Sequence, residues 1–98
     1  MVKVHISKNH IEISGHAGYD VYGKDIVCAS VSSIVTTTIN AILKFDEEAI
    51  KYHDKDGYVK IDIIKDNKET KILLSNMIEL LKELEKDYNK NIKIYEEV

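Results

Sequence analysis

The stretch 26-IVCASVSSIVTTTINAILKF-45 decides the architecture. It is crowded with β-branched residues (Val31, Ile34, Val35, Thr36, Thr37, Thr38, Ile39), and propensity alone would allow a strand. Its length and the spacing of Val27, Val31, Ile34, Val35, Thr38, Ile42 and Phe45 instead describe one face of a helix. Asp25, directly before it, is the residue type that accepts hydrogen bonds from the free N–H groups of a helix start.

Upstream of this helix the chain reads as β. Val2, Val4 and Ile6 alternate with Lys3, His5 and Ser7, and Ile11 and Ile13 resume the alternation after Lys8-Asn9-His10. Period-2 patterning around a short polar turn predicts a β-hairpin. Downstream, Ile50 to Asp54 and Tyr58 to Lys65 flank Asp56-Gly57, a turn signal. Val59, Ile61 and Ile63 share one strand face, opposite Lys60 and Asp62. A second helix is predicted over Lys68 to Tyr88, with the stripe Leu74, Met77, Leu81, Leu84 and Tyr88 widened by Leu73, Ile78 and Leu80. Asp66 followed by Glu69 predicts a capping box at its start. Ile92 and Ile94 predict a closing strand. The order is β-β-α-β-β-α-β. Strands in hairpin pairs favour an α+β architecture, a mostly antiparallel sheet with two helices packed on it. With no proline, linker or repeat, residues 1–98 read as a single domain.

Composition narrows the function. Hydrophobic residues make up 44% and charged residues 32%, as in a folded globular chain rather than a disordered one. Net charge is -3, and all 14 basic residues are lysines. Without arginine the chain lacks the usual bidentate reader of phosphate and guanine, so no direct nucleic-acid role is expected. Counting apolar residues predicts neither a signal peptide nor a membrane span. A single cysteine cannot form an internal disulfide, so a cytoplasmic chain with a reduced thiol is expected.

That cysteine lies where chemistry is plausible. Cys28 falls in the first turn of the predicted helix, where partial positive charge and unpaired N–H groups favour a thiolate and can steady an oxyanion. The alternative is a small buried hydrophobe. His16 precedes it in a loop punctuated by Gly15, Gly18 and Gly23, a composition that signals unusual backbone angles or close approach of a ligand. A histidine can take a thiol proton and return it to a leaving amine; it can also be an ordinary exposed loop residue. Asp20 and Asp25 are candidates to orient the imidazole, with helix capping as the other role for Asp25. Ser32, four residues after Cys28, projects from the same helix face, as a hydrogen-bonding group or as a small packing residue. Tyr19 and Tyr22 are candidates to line a substrate groove, or they simply cover the loop. His5, His10, His16, His53 and Cys28 show no paired ligand spacing, so no metal or other cofactor is expected. No phosphate-binding glycine pattern is present.

Gly15-His16-Ala17-Gly18-Tyr19, followed by Gly23-Lys24-Asp25-Ile26-Val27-Cys28-Ala29-Ser30-Val31-Ser32, resembles the signature of the ribosomal-processing cysteine protease Prp family. The resemblance implies a homodimeric cysteine endopeptidase that removes an N-terminal leader from a bL27-type large-subunit ribosomal protein. It places His16 and Cys28 on the catalytic dyad, Asp25 on the family's acidic residue and Ser32 on its serine. The implied chemistry is attack of the Cys28 thiolate on a peptide carbonyl, with helix N-terminal amides holding the oxyanion and His16 protonating the departing amine. The competing class is a non-enzymatic ribosome-associated interaction module in which Cys28 is inert.

Overall fold

A computed structural model describes residues 1–97. The alternating segments near the N-terminus form strands β1 (Val2–Ile6) and β2 (His10–Ser14), followed by helix α1 (Ile26–Phe45). Strands β3 (Ile50–Lys55) and β4 (Tyr58–Ile63), helix α2 (Lys68–Asp87) and strand β5 (Ile92–Glu96) complete the order expected. The five strands make one sheet in the order β3-β4-β2-β1-β5. Three pairings are antiparallel: β1 with β2, β2 with β4, and β3 with β4. The fourth, β1 with β5, is parallel, with Val4 opposite Ile94. A parallel return requires a crossover, and α2 supplies it, carrying the chain from β4 across the sheet to the far edge.

The alternation seen in the sequence becomes a two-faced sheet. Val2, Val4, Ile11, Ile13, Ile61 and Ile92 point into the core. They meet Val27, Val31, Val35, Ile39 and Ile42 of α1 and Leu74, Met77 and Leu81 of α2, and the two helices pack against each other. Burying each such side chain stabilises the fold by roughly 1.5–3 kcal/mol before the entropic cost of ordering it. On the opposite face His5 stacks on Tyr95, ring centroids 4.8 Å apart.

Three expectations need correction. The cap of α2 is Asn67, whose side chain accepts from the Thr70 N–H at 2.8 Å. Asp66 lies one residue too early to reach it and instead meets exposed Lys71. The fourth strand ends at Ile63 because the N–H groups of Ile64 and Lys65 both turn to the Ala49 carbonyl. Finally, α1 is long and apolar enough to cross a membrane by length and composition, contrary to the count of apolar residues. Its serines and threonines are only mildly polar and Lys44 is its single charge. In the fold it is a core helix, its buried stripe covered by the sheet and α2.

Candidate active site

Residues 15–24 leave the sheet at Gly15, whose N–H donates to the Gly57 carbonyl at 2.8 Å. Gly15 has φ +92°, and a β-carbon there would run into the Met1 carbonyl oxygen. Only glycine lets the chain pass so close to the start of β1. His16 is exposed, and its imidazole lies over the β3–β4 turn. A β-carbon placed on Gly57 would stand 2.9 Å from His16 Nε2.

Ala17 is buried, and both of its backbone groups are used. Its N–H donates to Cys28 Sγ at 3.1 Å. Its carbonyl accepts from Asn91 Nδ2 at 3.0 Å. Beyond it Tyr19 sets its ring edge-on against Tyr88, centroids 5.4 Å apart. The Tyr19 and Asp20 N–H groups then converge on Asp25 Oδ2 at 2.9 and 3.2 Å.

Asp25 joins this loop to the helix. Its second oxygen, Oδ1, accepts from the Val27 and Cys28 N–H groups at 3.0 Å each. Burial is the largest single influence on its acidity and raises the pKa. The bonds from Cys28, Asp20, Tyr19 and Val27 together outweigh it and hold the carboxyl below its ordinary value. Asp25 is therefore the cap of α1, and its hydrogen-bond partners are four backbone amides rather than the His16 imidazole. Asp20 is also used locally, accepting from the Val21 N–H at 2.7 Å.

Cys28 is half-buried with a free thiol, in the first turn of α1. His16 and Cys28 line one open cavity of about 870 Å³, together with Ser32, one turn further along α1. Gly15, Gly18, Tyr22 and Gly23 from the loop line it as well. Tyr19 does not; the packing against Tyr88 turns its ring out of the cavity. The anticipated oxyanion donors also change. The Val27 and Cys28 amides are committed to the Asp25 carboxylate, so the first turn of α1 does not offer them to a substrate. The amide aimed at the sulfur comes from the loop, at Ala17.

Sequence reasoning missed two contributors. The β3–β4 hairpin supplies one cavity wall, with Asp54, Lys55, Asp56 and Gly57. Asn91, after α2, reaches the loop across 74 positions of sequence. Period and spacing carry no signal for either. His5 and His10 lie outside the cavity, His5 against Tyr95 and His10 against Ser7 Oγ at 2.9 Å.

The chain is similar to known proteins over nearly its whole length. The cysteine protease Prp family matches it over residues 1–93. A ribosomal processing cysteine protease Prp from Staphylococcus aureus (strain NCTC 8325 / PS 47) is 35% identical over 85 residues, covering 84% of this chain and 80% of the relative. Its counterpart in Bacillus subtilis (strain 168) is 25% identical over 107 residues, 96% of each chain. The crystal structure of the S. aureus ribosomal processing protease Prp with a covalently linked product peptide superposes with a TM-score of 0.94. Identity there is 29%, over 99% of this chain and 100% of that one. The chain belongs to the cysteine protease Prp family and is a cysteine protease.

Proposed function

We propose that this protease is an endopeptidase that removes the N-terminal leader of a bL27-type large-subunit ribosomal protein, with Cys28 as nucleophile and His16 as its acid–base partner. The observation that carries the assignment is the Ala17 N–H on Cys28 Sγ, at a helix start, with His16 lining the same open cavity. An amide donor and a helix N-terminus both stabilise negative charge developing on sulfur. The structure of the S. aureus protease with a covalently linked product peptide supports a peptide occupant for the cavity.

In this mechanism the His16 imidazole takes the Cys28 thiol proton, and the thiolate attacks the scissile carbonyl. The C–N bond then breaks, and His16 returns the proton to the departing amine. Water, deprotonated by His16, attacks the thioester and releases the acid and the free thiol. Asp25 acts by holding the loop and the helix start together, and Ser32 offers a hydroxyl on the cavity wall.

The same reading makes the protein a cytoplasmic homodimer with no direct nucleic-acid or membrane partner. Its single reduced cysteine fits that compartment. The outer surface of α1, with Lys44 as the helix's single charge and Ile26 and Phe45 each more than half exposed, is suited to self-association. The test of the dyad is the rate of Cys28 alkylation against pH, with and without His16→Ala. The proposal expects the variant to lose an acid-side limb of reactivity that the wild type shows. Identical profiles, both matching a free cysteine, would count against it.

A further inference from the structure

Asn91 stands in the short connection between α2 and β5, far from the catalytic signature, yet its side chain ends on the loop that touches Cys28. Its backbone is fixed from two sides. Its N–H donates to the Tyr88 carbonyl at 2.8 Å, and its carbonyl accepts from the Val2 N–H at 2.9 Å. The carboxamide therefore starts from a rigid base between the end of α2 and the first strand. The atom facing the Ala17 carbonyl at 3.0 Å must be the nitrogen, because a carbonyl can only accept.

Ala17 is 2% exposed, so its carbonyl has little access to water as a substitute partner. Its N–H and C=O belong to the two peptide units on either side of one Cα. Anchoring the carbonyl fixes where that Cα lies, and with it the direction of the N–H toward Sγ. Tyr88, three residues before Asn91, adds a second hold through Tyr19. The loop is thus clamped on both flanks, by Asp25 from α1 and by the α2–β5 connection.

We infer that Asn91 is a positioning residue for the protease: it holds the Ala17 amide on Cys28 Sγ and so sets the reactivity of the thiol. The inference rests on the reading of Cys28 as nucleophile, but it can fail independently of that reading. Losing the carboxamide leaves the Ala17 carbonyl buried without a partner. The peptide then rotates toward water, and the N–H drifts from sulfur.

The test is the pH profile of Cys28 alkylation by iodoacetamide in the full chain, for wild type, Asn91→Asp and Asn91→Ala. Asn91→Asp keeps the shape but sets a carboxylate oxygen against the carbonyl. Asn91→Ala leaves every charged group around the cavity unchanged (His16, Asp20 and Asp25 from the loop and helix start, Asp54, Lys55 and Asp56 from the hairpin), whereas Asn91→Asp adds one negative charge, so the alanine variant carries the decision. Alkylation at neutral pH should fall about threefold to tenfold, the worth of one hydrogen bond, and the half-maximal point should move to higher pH. A purely structural role would lower the melting temperature and leave the profile where it was, which would overturn the inference.

Should either variant fail to fold, wild type itself decides. The Asn91 Nδ2 and Ala17 amide proton resonances should respond together to the state of Cys28 with the same midpoint as alkylation, and both should lose that response in Cys28→Ala. Either resonance indifferent to the state of Cys28 would also overturn the inference. Peptide cleavage persisting in Cys28→Ala would remove the nucleophile reading instead, and the alkylation profiles would still report on Asn91.

Discussion

Gly57 is the position where one substitution separates fold from chemistry. It has φ +72°, and a β-carbon there would sit 2.9 Å from His16 Nε2, 3.4 Å from Cε1 and 3.5 Å from Cδ2. Two consequences follow from Gly57→Ala. The left-handed backbone costs an ordinary L-residue roughly 1–2 kcal/mol. The methyl also pushes the imidazole off the turn, and this is cheap because the His16 side chain is exposed and can rotate. At about 4–8 °C per kcal/mol for a domain of this size, the melting temperature should fall by about 4–16 °C. Gly57→Asn separates the two effects. Asparagine tolerates the left-handed region, so most of the stability returns, while its β-carbon still meets the imidazole. Peptide cleavage by Gly57→Asn should therefore stay well below wild type although the fold is nearly intact. The loss is bounded by that of His16→Ala, about 10²–10⁴-fold for a general acid–base residue. The assays are thermal denaturation, steady-state cleavage of a leader peptide, and the imidazole resonances of His16. Wild-type cleavage and unmoved His16 resonances in Gly57→Asn would refute the claim that the bare turn seats the imidazole.

Three further substitutions test the starts of the two helices. Asp25 has its carboxyl held below the ordinary value near 3.8 in the folded state. It therefore adds stability at neutral pH that is lost as pH falls through the folded value. Asp25→Asn should destabilise at pH 7, and its gap from wild type should narrow below about pH 4; a gap that stays constant with pH in denaturant titrations would contradict the four-amide account. Asn67→Ala should cost about 1 kcal/mol as the loss of a helix cap. Asp66→Ala should cost far less, since its pairing with Lys71 is solvent-exposed; chemical denaturation that ranked the two the other way would restore the capping box anchored on Asp66.

The architecture was legible wherever burial imposes a period. Val27, Val31, Val35 and Ile42 outweighed the β-branched content of α1 because one face of that segment had to be apolar, and those four residues are buried. Phe45, on the same predicted face, is 54% exposed because the helix ends there, beyond the packed surface. Pairing partners were less legible. The alternation of Ile92 and Ile94 announces a strand but does not say that it lies parallel to β1; the crossover of α2 decides that. The site divides in the same way. His16, Cys28 and the glycine loop stand together in the sequence. The Asp54–Gly57 wall and the Asn91 anchor arrive only through tertiary closure. Helix capping takes Oδ1 of Asp25 and the loop amides take Oδ2, a fact of geometry that the residue type does not announce.

The central claim is that the thiol of Cys28 performs the cleavage. The most direct measurement incubates the protein with the leader-bearing ribosomal protein of its own cell and follows both by mass spectrometry. Wild type should release the leader, and a peptide chloromethyl ketone matched to the leader should add to Cys28 and stop the reaction. Cys28→Ala should release none. Leader release that continues at the wild-type rate in Cys28→Ala would contradict the account.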